Sequence, residues 1–355
     1  MESHLDHEFI VRISGGDLRA VYQDVSFKKG SSNEEIIITS TPTAGLTIEV
    51  RSHFIDLVNA VKKKSASCAE FHGDEFDQCF ARNISDDIAK IQQDAVTFRE
   101  HRDLLANRLR DYTCNDDELE TSPAIRSIKF QTQGVVYAAD ILYELSNAKI
   151  WTVEDFVSDE ECNIMTDYGR PRLVTATVFG PGGSAIASTS RKAQQARYDV
   201  VESPDEPLLQ LKRKVLGLTT LFTGYDLGLP GQEDFTIIQY NKDDQYVTHC
   251  DGACDGSKYN PGGRVASALL YCQVAEKGGG TTFIKADVFV KPKKNQAVFF
   301  SYKGVDGVMD SGYTEHSGCP VREGEKWLTT LWMREGVTAD IGWTRYDPFG
   351  IRNAR

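Results

Sequence analysis

The chain has 355 residues, of which 40% are apolar and 26% charged, an ordinary composition for a folded protein with one large core or two domains. Its 52 acidic and 40 basic residues give a net charge of −12, which disfavours nucleic acid or an anionic membrane as a partner. No stretch approaches the roughly 18 consecutive apolar residues of a transmembrane helix, so we predict no membrane span.

Residues 1–62 are predicted to form a β-rich N-terminal region. Four apolar segments there, FIVRI, LRAVYQDV, EEIIITST and GLTIEV, are separated by glycine, serine and proline. Residues 63–133 are predicted to contain a polar linker and one long helix over 85–113, whose apolar residues lie mostly three, four or seven positions apart. Neither region matches a substrate-binding domain that we can identify.

Residues 134–340 are predicted to form a third region of α+β class, followed by a C-terminal tail over 341–355. We predict a helix over 134–147, a helix that starts at a Ser158–Glu161 capping box, and an amphipathic helix over 205–222. Short strands separated by turn residues follow, a pattern typical of an all-β barrel or sandwich. They are predicted over 234–240, 245–251, 264–272, 281–290, 296–302, 313–316 and 326–333.

Histidine and aspartate occur two positions apart four times in the chain. The pairs are His4 with Asp6, His72 with Asp74, His101 with Asp103, and His249 with Asp251. Residues i and i+2 point the same way on a strand but to nearly opposite sides of a helix, which excludes the third pair. The first lies near the chain end and the second in a polar loop. Only the fourth ends a predicted strand, QYVTHCD, and can converge on one ion.

A facial iron site requires two histidines and one carboxylate. His316, at the end of the short strand GYTEH, is the only histidine after His249. Lys326 follows ten residues later in the apolar strand KWLTTLWM. A lysine buried there is costly unless an anion meets it, and a dicarboxylate cosubstrate would supply that anion.

Four ordered motifs within about residues 149–335 resemble the Fe(II)/2-oxoglutarate-dependent dioxygenases, most closely the prolyl 4-hydroxylase branch. They are QYNKDDQYVTHCD, GGRVASALLYCQVAEKGGGTTFI, VKPKKNQAVFF and TEHSGCPVREGEKWLTTLWMRE. The resemblance implies a double-stranded β-helix (jelly-roll, cupin-like) catalytic core with supporting helices. It also implies Fe(II) on His249, Asp251 and His316, with 2-oxoglutarate and O2 as cosubstrates and ascorbate to rescue oxidised iron.

The same resemblance implies roles for further residues. Lys326 would pair with the distal carboxylate of 2-oxoglutarate, and this lysine, where related enzymes carry arginine, is similar to the collagen-type prolyl hydroxylases. Other candidates near the cosubstrate are Tyr240, Tyr271 and Thr282, with Thr281 as the alternative to Thr282. Candidates for substrate contact are Tyr246, Arg191 and Trp332. For the aromatic residues, a purely structural role in the barrel interior stays open.

The expected function is peptidyl-proline 4-hydroxylation, which couples oxidative decarboxylation of 2-oxoglutarate to hydroxylation of proline in a peptide or protein. One alternative is a hydroxylase of another residue or of a small molecule. An alternative of another class is an inactive family member that acts as a binding protein. The sequence does not indicate an oligomeric state.

Eight cysteines are present and none forms a CxxC pair, which argues against a zinc ribbon or a thioredoxin-like site. The loop-like context of Cys68, Cys79 and Cys114 and the NIS sequon at Asn83 favour disulfides and the endoplasmic reticulum or secretory pathway, with the cytoplasm as the alternative. Cys250 and Cys254 are predicted either to bridge or to remain free thiols.

Overall fold

A computed structural model of the chain describes residues 113–179 and 190–353. It also describes the backbone of strands at 10–14, 26–29, 36–39, 47–51 and 185–187, and a few residues between 68 and 111. The chain forms two compact units, Met1–Tyr112 and Thr113–Arg355. The domain bounds given above stay a prediction. None of the described helices has the length and apolar character needed to cross a bilayer.

The first unit contains two antiparallel strand pairs. β1 (Ile10–Ser14) pairs with β4 (Thr47–Arg51), and β2 (Ser26–Lys29) pairs with β3 (Ile36–Thr39). These strands agree with the β-rich prediction for this region. The segment LRAVYQDV, the sequon at Asn83 and almost all of the predicted 85–113 helix lie outside the described residues.

The second unit is built mainly from antiparallel strands. In chain order these are β5 (Arg126–Thr132), β6 (Val135–Glu144), β7 (Lys149–Val153), β8 (Val174–Thr175), β9 (Thr177–Phe179), β10 (Ala185–Ala187), β11 (Arg191–Lys192), β12 (Gln194–Tyr198), β13 (Phe235–Tyr240), β14 (Gln245–His249), β15 (Arg264–Gln273), β16 (Lys277–Gly278), β17 (Thr281–Phe283), β18 (Val288–Val290), β19 (Ala297–Ser301), β20 (His316–Gly318), β21 (Val321–Glu323) and β22 (Lys326–Arg334). The helices are α1 (Asp159–Gly169) and α2 (Leu209–Thr223), with short 3₁₀ turns at Arg170–Arg172 and Trp343–Arg345.

Two sheets carry the site. The larger has the order β5-β6-β7-β19-β15-β22-β13-β12-β8, and the smaller has the order β11-β14-β20-β17-β18. From β13 onward the chain alternates between them, so that β13, β22, β15 and β19 lie opposite β14, β20, β17 and β18. This arrangement is a double-stranded β-helix, and the predicted jelly-roll fold is confirmed.

The helix predicted over 134–147 is wrong, because this segment is the strand β6. Gln133 and Gly134, with φ of 51° and 80°, form a two-residue turn that joins Thr132 to Val135 in a β-hairpin. Positive φ at both central residues is the geometry of a hairpin turn and cannot start a helix. The paired β-branched residues that follow suit a strand, so turn chemistry outweighs the apolar spacing.

The other two predicted helices of this unit are confirmed. In α1, the Ser158 hydroxyl accepts from the backbone N–H of Glu161, whose carboxylate accepts from the N–H of Ser158. α2 ends at Gly224, whose φ of 74° favours glycine. The disulfide between Cys162 and Cys272 joins α1 to β15.

The larger sheet separates two apolar cores, and β22 contributes to both. Its residues Trp327, Leu331 and Met333 pack into the core that also contains the helices. Leu328 belongs instead to the core between the two sheets. Because neighbouring residues of a strand point to opposite faces, Lys326 shares the side of Leu328 and points between the sheets.

Candidate active site

Two histidines and one aspartate converge where β14 ends and β20 begins. His249 is the last residue of β14 and His316 the first of β20, and the two are paired in register on adjacent antiparallel strands. Asp251 lies in the bend just after β14. One ligand atom from each side chain lies within 4.8 Å of those of the other two. Strand register therefore brings the predicted cluster together.

Each histidine of the cluster is oriented by a hydrogen bond to its own strand or the turn before it. Nδ1 of His249 lies 2.8 Å from the carbonyl oxygen of Val247, and Nδ1 of His316 lies 3.0 Å from that of Thr314. A carbonyl oxygen only accepts, so each Nδ1 carries the proton and donates it. Nε2 of His249 and Nε2 of His316 lie 3.5 and 3.9 Å from the Asp251 carboxylate oxygens.

Burial and neighbouring charge set the protonation of the cluster. Burial, together with the adjacent His249, lowers the pKa of His316 to about 4, so this ring is neutral at pH 7. Burial alone would raise the pKa of Asp251, but His316, His249 and Arg264 hold it well below its usual range. A neutral imidazole and an ionised carboxylate are the forms in which these side chains bind metals.

Asp251 is supported by a buried polar network. The Ser267 hydroxyl donates to Oδ2 of Asp251 at 2.7 Å, and Nη1 of Arg264 donates to the Asp251 carbonyl oxygen at 3.1 Å. Arg264 also binds Glu233 through two hydrogen bonds of 2.7 and 2.8 Å, and Arg334 donates to the same carboxylate at 2.6 Å. This network leaves no local pattern in the sequence, because Glu233 lies 31 and 101 residues from its two arginine partners.

Lys326 is fully buried at the inner end of the same cavity. Its Nζ donates to the carbonyl oxygen of Gly279 at 2.9 Å and lies 4.8 Å from the centre of the Tyr240 ring. No carboxylate among the described residues forms a salt bridge with it, and burial lowers its pKa to about 8. A buried ammonium group that lacks an anion marks a place where an anionic ligand would be stabilised.

Eight of the ten predicted site residues line one cavity, and Thr282 and Tyr271 are the two that do not. Thr281 lines the cavity in place of Thr282, because neighbouring residues on β17 point to opposite faces. Tyr271 lies behind this wall, where its hydroxyl is 2.8 Å from that of Thr281. Tyr240 lines the cavity directly and hydrogen-bonds Arg191, and burial raises its pKa.

Arg191, Tyr246 and Trp332, the three candidates for substrate contact, all line this cavity. The Tyr246 ring stacks on His249 with 3.4 Å between ring centres, and the Arg191 guanidinium lies 5.0 Å from the Tyr246 centre. Arg191 also donates to the carbonyl oxygen of Thr177 at 3.0 Å. Its Nε and the indole Nε1 of Trp332 are buried donors without a partner among the described residues. All three residues also line a second cavity that opens beside the first.

Cys250, which lies between the proposed ligands His249 and Asp251, is joined to Cys254 by a disulfide. Of the two alternatives left by the sequence, the structure contains the bridge, and the other described cysteines pair as Cys68–Cys79, Cys114–Cys319 and Cys162–Cys272. The disulfide expected for the three loop cysteines is thus present. Cys250 lines the second cavity and is not among the residues that line the site cavity.

The sequence model of the family described as 2OG-Fe(II) oxygenase superfamily matches residues 235–334. This span begins with β13 and ends with β22, and therefore contains the whole jelly roll and all of the His249, Asp251, His316 and Lys326 positions.

Among solved structures, the viral collagen prolyl hydroxylase from Paramecium bursaria Chlorella virus-1 is 23% identical, with a TM-score of 0.39, over 52% of this chain and 96% of that one. A Pseudomonas putida prolyl-4-hydroxylase is 22% identical, with a TM-score of 0.36, over 52% of this chain and 92% of the other.

Curated relatives match about half of this chain. Prolyl 4-hydroxylase subunit alpha-3 of Rattus norvegicus is 31% identical over 191 residues, 51% of this chain and 32% of the relative. The chain thus spans about a third of the length of this animal subunit. Prolyl 4-hydroxylase 1 of Arabidopsis thaliana is 31% identical over 206 residues, 54% of this chain and 70% of the plant protein. With this relative matched over most of its length, the chain belongs to the prolyl 4-hydroxylase family of 2-oxoglutarate- and Fe(II)-dependent oxygenases.

Proposed function

We propose that this chain is a peptidyl-proline 4-hydroxylase that depends on Fe(II), 2-oxoglutarate and O2. The observation that carries the proposal is the His249–Asp251–His316 cluster in one cavity with the buried Lys326, which forms no salt bridge with a described carboxylate. The family membership and the names of the relatives, which are prolyl 4-hydroxylases, support proline as the residue that is modified.

The donor set fits Fe(II). Two imidazole nitrogens and one carboxylate on one side of an ion leave other coordination positions open, which is the arrangement of non-haem iron oxygenases. The outer nitrogen of each histidine is already engaged by a backbone carbonyl, and Ser267 engages Oδ2 of Asp251. Such outer contacts orient the ligands of a metal before it binds.

The inner end of the cavity fits 2-oxoglutarate. We assign its distal carboxylate to Lys326, with Tyr240 and Thr281 beside it and Tyr271 supporting Thr281 through its hydroxyl. Thr282 is not assigned a contact, because its side chain is not in the cavity wall. A compact ammonium group suits this place between two tyrosine rings, where a planar guanidinium would need a wider space.

When bound, the cofactor and cosubstrates supply the oxidation, in which 2-oxoglutarate loses CO2 and becomes succinate, and one oxygen atom of O2 enters the C4–H bond of proline. The chain's own contribution is binding, orientation and exclusion of water. His249 and His316 keep their Nδ1 protons on backbone carbonyls throughout. Ile238, Leu269 and Leu328 form an apolar wall of the cavity, while Tyr246, Arg191 and Trp332 face the incoming substrate.

We further propose that the protein works in an oxidising compartment, such as the endoplasmic reticulum. The four disulfides support this, because thiols are kept reduced in the cytosol. Ascorbate is proposed as the reductant that restores iron oxidised in turnovers without substrate.

The test is mass spectrometry of several classes of proline-containing peptides incubated with the full chain, Fe(II), 2-oxoglutarate and ascorbate. We expect a gain of one oxygen on proline and one succinate formed for each hydroxylation. His249→Ala should abolish both, whereas His101→Ala, which alters another His-x-Asp pair, should retain both. Oxygen gained only on another residue type, or on no peptide at all, would overturn the assignment to proline.

A further inference from the structure

A second cavity of about 410 Å³ opens beside the site, a volume within the usual range of ligand-binding pockets. It shares Arg191, Tyr246, Asp251 and Trp332 with the site cavity, so the two cavities lie side by side. Its far wall comes from the C-terminal segment, residues 343–353, which lies beyond the last strand of the jelly roll. We name this second cavity the groove.

We propose that the C-terminal segment forms one wall of the peptide-binding site, and that the groove takes a proline-rich peptide of neutral or acidic character. This inference rests on the proposed function and deepens it. It assigns a binding role to residues that the sequence indicated only as a tail.

The C-terminal segment is fixed to the jelly roll by backbone contacts. The Arg264 backbone N–H donates to the carbonyl oxygen of Pro348 at 2.9 Å, and Nη1 of Arg334 donates to that of Asp347 at 2.7 Å. Tyr346 is buried against Gly262, where even a methyl group would lie 2.7 Å from its ring. The C-terminal segment is therefore packed and hydrogen-bonded in place as part of the second unit.

The groove has an aromatic surface and contains two donors that lack a partner among the described residues. Trp343, Tyr346 and Phe349 line it from the C-terminal segment, and Trp332 lines it from β22. Trp343 is held under the Arg197 guanidinium at 4.9 Å, and Phe349 is 47% exposed. Proline-rich peptides adopt an extended helix without internal hydrogen bonds, and aromatic-lined grooves recognise it. Nε1–H of Trp332 and Nε–H of Arg191 are buried and have no hydrogen-bond partner among the described residues, and both residues line the groove.

The charged side chains that line the groove indicate which peptides can bind there. The charged side chains that line the groove are Arg191, Arg197, Arg264 and Asp251. Glu233 compensates Arg264, and Asp251 belongs to the metal cluster. Arg191 and Arg197 form no salt bridge with a described carboxylate, so the groove is positive within a chain of net charge −12. A peptide with lysine or arginine beside the proline is disfavoured there.

The same buried arginines connect this wall to the metal cluster. Arg264 contacts Pro348 through its backbone and the Asp251 carbonyl oxygen through its side chain, while Arg334 contacts Asp347, and both bind Glu233. The wall and Asp251 thus share one rigid support. A peptide that lies along the wall is held at a fixed distance from the proposed iron position, which would select the proline that is hydroxylated.

The test compares Phe349→Ala and Trp343→Ala with Ile351→Ala in the full chain. Ile351 is 61% exposed in the same segment but does not line the groove, which makes it the matched control. The probes are a neutral proline-rich peptide, the same peptide with its prolines replaced by alanine, and one with lysines beside the proline. Binding is measured by titration calorimetry on the metal-free protein, and peptide KM and kcat are measured on the Fe(II)-loaded enzyme.

We expect Phe349→Ala and Trp343→Ala each to raise the peptide Kd and KM about tenfold, the loss of one aromatic contact, with a smaller change in kcat. Ile351→Ala should stay within about twofold of wild type, and the alanine and lysine peptides should bind at least about tenfold more weakly. Because Phe349 is exposed, the Phe349→Ala variant keeps its core intact. Its thermal unfolding midpoint should equal that of wild type.

Unchanged peptide Kd and KM in both wall variants, in an enzyme that hydroxylates proline, would overturn the inference while leaving the proposed function intact. Equal binding of the alanine peptide would also overturn it. Proline-dependent binding by the metal-free protein that is lost in Phe349→Ala, without any hydroxylation, would support the groove and contradict the proposed function instead.

Discussion

The Ser267 hydroxyl donates to Oδ2 of Asp251 at 2.7 Å, and both side chains are buried. Oδ1 of the same carboxylate faces His249, 3.5 Å from its Nε2. One oxygen of Asp251 is thus held by the larger sheet, while the other faces His249. Ser267 lies on β15 and is not a predicted ligand, yet it sets the orientation of one.

Ser267→Ala should weaken Fe(II) binding about tenfold, because outer-shell partners of metal ligands contribute roughly 10- to 100-fold to affinity. Anaerobic Fe(II) titration of the full chain measures this. Ser301→Ala, a buried serine on the neighbouring strand β19, is the control and should bind Fe(II) like wild type. Equal affinity of the two variants would show that Ser267 does not position Asp251.

Lys326→Met should raise the Kd for 2-oxoglutarate about 10- to 100-fold, because it removes a charged hydrogen-bond donor from a buried site. Lys326→Arg should also bind 2-oxoglutarate poorly, since a guanidinium is larger and planar. Calorimetry on the Fe(II)-loaded protein without O2 measures both. Lys294→Met, an exposed lysine paired with Asp159, is the control. Full affinity in Lys326→Arg would contradict the proposed fit.

The affinity for 2-oxoglutarate should fall as the pH rises through about 8. Burial lowers the pKa of Lys326 to about 8, so the free protein holds the ammonium form below that pH and the neutral amine above it. The dicarboxylate binds the ammonium form, and well above pH 8 each further pH unit should cost about tenfold in affinity. Titrations from pH 6.5 to 9.5 measure the profile. If the affinity of the wild type does not change with pH, or if Lys326→Met shows the same pH dependence as the wild type, Lys326 is not the group that titrates.

Removal of the Cys162–Cys272 disulfide should destabilise the fold more than removal of Cys250–Cys254. The first closes a separation of 110 residues and the second a separation of 4. Chain entropy of the unfolded state then predicts losses of about 5 and about 2 kcal/mol in the free energy of unfolding. Urea unfolding of the two cysteine-to-alanine double variants measures the difference. Equal losses would mean that native contacts, and not loop length, determine the contribution of these bridges.

Local patterns in the sequence were sufficient for much of the site. The strand period predicted that His249 and Asp251 share one side, although Asp251 lies just beyond the end of β14, and an apolar strand around Lys326 indicated a buried cation. The capping box at Ser158 predicted the start of α1 to the residue. These features depend on residues within a few positions of one another, and such interactions are encoded directly in the order of the chain.

Other assignments depended on which face of a strand a side chain points to, or on which strand a segment pairs with. The 134–147 segment has apolar spacing compatible with a helix, and only the Gln133–Gly134 turn and its partner strand make it β6. Thr281 and Thr282 are adjacent and chemically equal, so the phase of β17 decides which of them lines the cavity.

The sequence by itself predicted the histidine–aspartate cluster and the buried lysine, because these follow from short-range periodicity and side-chain chemistry. Only the tertiary structure decided that Ser267 holds Asp251, that Arg264 and Arg334 share Glu233, and that the residues after β22 line the groove. Each of these contacts joins residues from separate segments of the chain. Such contacts exist only after β13, β14, β15 and β22 have paired in register, and pairing between distant strands leaves no local signal in the sequence.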